Sequence, residues 1–225
     1  PFENLEKLTI YVLIGVLAGA RLGHCLFYEF SYYISHPLEM ILPITFPSGG
    51  GIKFTGYQGL ASHGGILGLL IAIYLYSRKT KHAMLDTFDL IAVVSGLSFG
   101  FIRIGNFMNS EIIGMPTNKS WGVIFERVDN IPRHPAQLYE AISYLLIFTA
   151  MMILYKTSRD RLKNGFFFGL GSVLFSTSRF LIEFVKEDQS GFEKGMVLNM
   201  GQLLSIPFIL VGIGFMIYGL RKTRA

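Results

Sequence analysis

Cysteine and charged residues are scarce in this sequence. Among its 225 residues, Cys25 is the only cysteine, and it lies inside an apolar run, so neither a disulfide framework nor a thiol-pair metal site is expected. Charged residues make up 16% of the chain, whereas 51% is hydrophobic. This composition is too apolar for a soluble domain of such length and is typical of a polytopic membrane protein.

Several patterns of catalytic chemistry are also missing. The sequence has no carboxylate-histidine cluster with metal-ligand spacing, no glycine-rich phosphate loop before a helix, and no serine in a nucleophile elbow. We therefore expect no metal and no cofactor. The formal net charge is +5, but the basic residues occur in short clusters between apolar runs. This pattern sets membrane orientation, so no nucleic-acid partner is expected.

Six apolar runs are each long enough to cross about 30 Å of hydrocarbon as a helix. They cover residues 8–30, 60–77, 86–107, 136–155, 165–185 and 199–220. The predicted fold is an all-α, polytopic membrane helical bundle that forms a single domain over residues 1–225. Basic clusters follow the second, fourth and sixth runs, which places those loops in the cytoplasm and a small loop region outside.

Polar side chains concentrate near the predicted outer ends of these runs. Burying them is costly unless they are satisfied, so we expect one polar cavity that opens to the outer leaflet and prefers an anion such as a lipid phosphate. Arg21 fits either this cavity or a snorkelling anchor. The residues concerned are Arg21, His63, Arg103, Asn106, Gln137, Glu140, Arg179, Glu183, Asn199 and Gln202.

The stretch from residue 100 to 114 is the strongest candidate for a functional site. It places Arg103, Asn106, Asn109 and Glu111 at the end of the third apolar run, and snorkelling explains one arginine but not the whole group. Elsewhere, Arg179 and Glu183 are four residues apart, so they can pair on one helix face.

Glycines and one histidine mark the first two runs. Gly15, Gly19 and Gly23 are spaced four apart, which predicts close packing against a neighbouring helix. Gly64 and Gly68 serve either the same packing or a close approach of the backbone to a ligand. His63 is either a satisfied buried histidine or an acid-base group.

These residues suit two classes of function. Arginines, amides and a histidine can grip a phosphodiester while an outside nucleophile attacks it, which favours a lipid transferase. A membrane transporter or binding protein for an anionic lipid or metabolite fits the same residues.

Four motifs resemble the bacterial prolipoprotein diacylglyceryl transferase family. They are residues 103–114, His63-Gly-Gly, residues 133–140 and residues 179–183. The resemblance implies transfer of diacylglycerol from phosphatidylglycerol to the lipobox cysteine of a preprolipoprotein signal peptide, which forms a thioether and releases glycerol phosphate. It also implies a multi-pass protein of the bacterial cytoplasmic (inner) membrane, surrounded by membrane lipid, with its active site towards the periplasmic leaflet.

The resemblance further implies roles for particular residues. His63, Arg103 and Arg179 are expected to be catalytic, since the resemblance makes the two arginines ligands of the lipid phosphate and His63 functionally important. From its own chemistry, His63 either activates the thiol as a base near neutral pH or only hydrogen-bonds the headgroup or a backbone carbonyl. Family members usually have seven spans, so we expect a further span, with a site tyrosine, before Pro1. The expected substrate-binding residues are Asn106, Asn109, Glu111, Gly114, Gly64, Gly65, Arg133 and Glu183, with Glu183 supporting Arg179.

Overall fold

The computed structural model describes residues 2–45, 51–54, 56, 59–187 and 197–221. The chain forms two compact units, residues 1–87 and residues 88–225. Each of the six predicted apolar runs forms a helix, which confirms the prediction of a helical polytopic membrane protein. The single-domain organisation stays a prediction.

The first unit is built on one pair of long helices. Two short helices and a two-stranded antiparallel hairpin lie between them in the chain. The elements are α1 (Phe2–Phe27), α2 (Phe30–Ser35), α3 (Pro37–Ile41), β1 (Ile44–Thr45), β2 (Lys53–Phe54) and α4 (Ser62–Thr80).

Glycines bring α1 and α4 into close contact. A Cβ atom built at Gly19 would overlap the carbonyl oxygen of Gly64, and one built at Gly68 would overlap that of Gly15. Only a residue without a side chain allows two helix backbones to approach so closely. The predicted packing role of the glycine stripe is therefore confirmed.

The second unit contains most of α5 and three further long helices. A hairpin lies between α5 and α6 in the chain, and 3₁₀ turns follow α6 and α7 at residues Arg159–Arg161 and Glu183–Val185. The elements are α5 (Met84–Asn109), β3 (Val123–Ile124), β4 (Pro132–Arg133), α6 (Ala136–Ser158), α7 (Phe166–Ile182) and α8 (Met200–Leu220).

The start of α7 is capped by a carboxylate from another helix. Asp89 of α5 is buried and accepts hydrogen bonds from the backbone N–H groups of Gly165 and Phe168, both at 2.7 Å. Gly165 has a φ of 100°, which favours glycine. Asp89 thus satisfies helix donors that would otherwise lack partners in an apolar environment.

Five helices among the described residues are long and apolar enough to cross a membrane: α1, α5, α6, α7 and α8. In α4, the polar residues Ser62 and His63 at one end and Arg78 and Lys79 at the other shorten the apolar stretch. The six-span topology therefore stays a prediction.

Candidate functional site

Arg103 is held by a buried carboxylate. Its Nε atom lies 2.9 Å from Oε2 of Glu140, a residue of α6 whose side chain is fully buried. Neither oxygen of Glu140 accepts a hydrogen bond from any described residue, so the contact is an ion pair. A charge removed from water is tolerated only when it is paired, and this pair fixes the side of the guanidinium nearest to α6.

A chain of side-chain hydrogen bonds leads from Arg103 past the end of α5. Nη1 of Arg103 donates to Oδ1 of Asn106 at 3.1 Å, and Nδ2 of Asn106 donates to Oε2 of Glu111 at 2.8 Å. Gln137 of α6 donates to the backbone oxygen of Glu111 at 2.7 Å. The chain turns sharply here, since Ser110 and Ile112 both have positive φ angles.

Three segments of the chain cross at Gly114. Its N–H donates to the backbone oxygen of His134 at 3.1 Å, while the N–H of Met115 donates to that of Val185 at 2.9 Å. A Cβ atom at Gly114 would lie 2.7 Å from Cβ of His134 and 2.8 Å from the oxygen of Val185. The crossing therefore requires glycine, and Gly114 shapes the site through packing.

A buried lysine completes the charged cluster. Lys186 is 2% exposed, and its Nζ atom lies 3.0 Å from Oε2 of Glu183 and 3.7 Å from Oε1 of Glu140. With Arg103, these residues form three ion pairs, because Glu140 contacts both Arg103 and Lys186, and Lys186 also contacts Glu183. We call this set of two cations and two carboxylates the charge cluster.

Arg103 and Arg179 line the same cavity, whose volume is about 320 Å³. Within the described residues, no hydrogen bond or ion pair involves the side chain of Arg179, although its backbone oxygen accepts from the N–H of Glu183. The cavity therefore combines one guanidinium that is fixed by a carboxylate with one whose charge is not neutralised by a described neighbour. Its remaining walls are mainly apolar and are formed by Phe99, Ile102, Tyr144, Phe175 and Ser176.

Comparisons with known protein sequences show which family contains this chain. The family model described as prolipoprotein diacylglyceryl transferase matches residues 1–218. The chain belongs to this family. It is 57% identical over 222 residues to a phosphatidylglycerol--prolipoprotein diacylglyceryl transferase of Bacteroides fragilis, and the match covers 98% of this chain and 80% of that protein.

Relatives from other bacteria carry the same name. The transferase of Tolumonas auensis is 46% identical, with 99% of this chain and 81% of the relative covered. That of Chloroherpeton thalassium is 41% identical, with 100% and 80% covered. The chain described here is accordingly a transferase of a bacterial family, with helices suited to a membrane.

The expected pair of Arg179 and Glu183 does not form in this transferase. The backbone keeps its α-helical turn here, since the N–H of Glu183 donates to the oxygen of Arg179, but the carboxylate of Glu183 is held by the ammonium group of Lys186 at 3.0 Å. Glu183 instead binds Lys186 and packs against Gly201 of α8. Its carboxylate supports the charge cluster rather than Arg179 directly.

Arg133 of the transferase lies outside the cavity. Its Nη2 atom lies 2.6 Å from Oδ2 of Asp129, and Nη1 lies 3.1 Å from Oε2 of Glu187. Hydrogen bonds from Arg133, and then from the N–H of Ile131, hold the pKa of Asp129 below its ordinary value. Nη1 also donates to the backbone oxygen of Gly114 at 3.3 Å, so Arg133 braces the crossing.

Three other expected residues lie in the first turn of α4, in the first unit. Gly64 packs against Gly19, as described above, whereas a Cβ atom at Gly65 would make only an ordinary 3.5 Å contact with Ala20. The side chain of His63 lies outside the described residues. Asn109, at the end of α5, is exposed.

Arg21 lies in a separate polar cluster within the first unit. It is 8% exposed, and its guanidinium donates to the backbone oxygens of Glu39 at 2.6 Å and Met40 at 3.1 Å. The same group lies 4.8 Å from the ring centre of Tyr33. Arg21 also lines a cavity with His24 and other residues of the first unit, but its guanidinium is occupied by main-chain oxygens, so a place for it in the expected outer-leaflet cavity stays a prediction.

Sequence reasoning did not select Lys186, and Glu140 was recognised only as one polar residue among several. Lys186 follows the end of an apolar run, where a lysine usually faces the membrane interface. The short spacing between Glu183 and Lys186 is the one local signal of their contact. Nothing in the sequence signals the contact with Glu140, because it joins distant parts of the chain.

Proposed function

We propose that this chain transfers the diacylglyceryl group of phosphatidylglycerol to the thiol of the lipobox cysteine of a preprolipoprotein. The sulfur attacks the glyceryl carbon that carries the phosphate, a C–S bond forms, and the C–O bond to phosphate breaks. The thiol proton passes to a base, and glycerol phosphate leaves with the electrons of the broken bond. No external oxidant or reductant is needed.

The shared cavity of Arg103 and Arg179 carries this proposal. Two guanidinium groups can donate forked hydrogen bonds to the oxygens of one phosphodiester, and they stabilise the negative charge that develops on the departing phosphate. Arg103, fixed by Glu140, supplies an oriented donor. Arg179 supplies charge, since no described neighbour neutralises it.

The walls of the cavity suit the rest of the lipid. Phe99, Ile102 and Phe175 offer apolar surface to the glyceryl backbone and to the beginning of the acyl chains. Asn106 and Glu111 then hold the end of α5 at the headgroup side, and Gly114 allows this turn to pack. Asn109 is exposed at the same end and can contact the leaving glycerol.

We assign the thiol-activating role to His63 on the basis of its chemistry. A histidine with a pKa of about 6.5 is neutral near pH 7 and can accept a proton from a thiol whose pKa is about 8.5. His63→Gln should therefore lose most activity near neutral pH and recover partly at higher pH, where the thiolate forms unaided. A mild loss that is uniform from about pH 6 to 9 contradicts this role.

The proposed orientation places the Arg103 end of α5 at the periplasmic leaflet of the bacterial inner membrane. Basic clusters at residues 78–81, 156–163 and 221–224 support it, because positive loops remain in the cytoplasm. The incoming thiol would then reach the site on a signal peptide already inserted in the membrane.

A peptide assay in detergent tests the proposed reaction. The purified protein, phosphatidylglycerol and a lipobox peptide are mixed in detergent micelles, and the mass of the peptide is measured. The expected result is a gain of one diacylglyceryl group, and a peptide with serine in place of the cysteine should gain nothing. Absence of product, together with lipid or anion uptake into sealed vesicles, would instead favour a transporter.

A further inference from the structure

Among the residues that the structure describes, Lys186 is the most deeply buried charged group that the proposed reaction does not use. Its side chain is 2% exposed, although lysine is almost never fully buried without a partner. Two carboxylates surround its ammonium group, Glu183 at 3.0 Å and Glu140 at 3.7 Å. Two buried carboxylates are costly unless a cation pairs with them, so this position favours a cation.

The contacts of Lys186 join the parts of the second unit that carry the two arginines. Through Glu140 it is linked to Arg103 on α5. Through Glu183 it is linked to the end of α7, the helix that carries Arg179. The ammonium group therefore lies between the carboxylate that fixes Arg103 and the end of the helix that carries Arg179.

The backbone around Lys186 is fixed as well. Lys186 pairs with Gly114 in an isolated antiparallel bridge, and the N–H of Glu187 donates to the oxygen of Ile113 at 3.2 Å. The segment after α7 is thus attached to the turn after α5. Main-chain hydrogen bonds thus fix the backbone from which the side chain of Lys186 extends, and the two carboxylates hold its ammonium group.

We propose that Lys186 is a positioning residue that sets the separation of Arg103 and Arg179 by bridging Glu140 and Glu183. The four charges of the cluster sum to zero, which leaves the charge of Arg179 available to the lipid phosphate. Without Lys186, two buried carboxylates compete for Arg103, and the guanidinium turns from the cavity towards them. This inference rests on the proposed function, since it assumes that both arginines bind the phosphate.

Substitution of Lys186 by methionine tests the bridge, because methionine keeps a long apolar stem and removes the charge. We expect kcat/KM to fall about a hundredfold, through a raised KM for phosphatidylglycerol, since a small displacement of a binding group has effects of this size. The KM for the peptide should not change. Lys186→Arg should retain kcat/KM within about threefold, because a guanidinium can also bridge two carboxylates.

Lys163→Met is the matched control. This lysine is half-buried in the same unit, near the ring of Tyr218, and makes no contact with the charge cluster. Its substitution should leave both KM values unchanged. A role in stability alone would lower the active fraction of the Lys186 variant, and hence kcat, while the KM for phosphatidylglycerol stayed at the wild-type value.

A neutralising second change sharpens the test. In the double variant Lys186→Met/Glu183→Gln, one buried carboxylate is removed with the lysine, so Arg103 and Glu140 can keep their pair. We expect the KM for phosphatidylglycerol to fall back towards the wild-type value. If Lys186→Met alone elutes as an aggregate, a double variant that folds and has a KM near that of wild type supports charge balance.

Three results would contradict the proposed bridging role of Lys186. They are a wild-type KM for phosphatidylglycerol in Lys186→Met, an equal loss in Lys186→Arg, and a folded double variant that binds the lipid no better than the single one. Direct binding of phosphatidylglycerol, measured by native mass spectrometry, separates this inference from the reaction itself. Wild-type protein that binds the lipid but forms no thioether contradicts the proposed function, while the comparison of variants still tests Lys186.

Discussion

Arg21 and Arg103 are both arginines within long apolar helices, but they bind different kinds of partner. Arg21 donates to the backbone oxygens of Glu39 and Met40, so it holds α3 against α1. Arg103 instead pairs with the carboxylate of Glu140 and lines a cavity that also contains a second arginine. An arginine occupied by carbonyl groups is a structural anchor, whereas one oriented towards an apolar cavity can bind an anion.

The largest expected effect is a difference in transfer activity between substitutions of these two arginines. Arg103→Lys should lower transfer activity by roughly a hundredfold or more, because a point charge does not reproduce the fork that holds a phosphate. Arg21→Lys should mainly lower the melting temperature, and the folded fraction should remain active. Initial rates, normalised to the folded fraction from gel filtration, measure both. Equal losses of activity would contradict the distinction.

The next effect concerns glycines near Arg103. Gly114→Ala should destabilise the protein by roughly 1–3 kcal/mol and impair transfer, because the new Cβ atom would meet the backbone of Val185 and His134. Gly105→Ala is the control, since a Cβ atom there meets nothing within 4 Å, and alanine favours a helix by about 1 kcal/mol. Thermal unfolding in detergent reports the difference. A stable Gly114 variant with normal activity would refute the packing role.

A similar pair in the first unit tests whether the glycines after His63 serve packing. Gly64→Ala should separate α1 from α4 and lower stability by roughly 1–3 kcal/mol, whereas Gly65→Ala should be nearly neutral. Comparison of the two melting temperatures checks this. Activity lost in the Gly65 variant without a change in melting temperature would indicate contact with substrate instead.

The smallest effect depends on pH. Arg133 lowers the pKa of Asp129, so the ionised carboxylate contributes stability that is present above its unfolded pKa of about 3.9 and is lost as the pH falls through the lower folded value. Protection of the amides around residue 131 from hydrogen exchange should therefore decrease below about pH 4. Asp129→Asn should remove this dependence on pH. Identical pH profiles of amide protection in the wild type and this variant would contradict the stabilising role of the Asp129 carboxylate.

Much of the fold could be predicted from the sequence because hydrocarbon imposes a strong rule. A long apolar run must satisfy its own backbone, so each of the six runs forms a helix. The glycine stripe of α1 was equally readable, since close packing needs small residues at fixed spacing. Both features depend on neighbours within one helix.

The features that could not be predicted depend on distant residues. Asp89 accepts a hydrogen bond from the N–H of Gly165 at the start of α7. The two residues are 76 positions apart in the sequence, and no local pattern signals such a contact. Glu183 was assigned to Arg179 from helical spacing, but its carboxylate pairs with Lys186 instead. Lys186 resembled an interfacial lysine, and only the fold shows that it is buried between two carboxylates.

We have proposed that Arg103 and Arg179 bind one lipid phosphate in their shared cavity. The most direct measurement compares the dissociation constants of phosphatidylglycerol and diacylglycerol, which lacks the phosphate, for wild type and Arg179→Lys. We expect the substitution to weaken binding of phosphatidylglycerol by at least about tenfold and to leave that of diacylglycerol unchanged. Equal weakening of both lipids, or no weakening of phosphatidylglycerol, would contradict it.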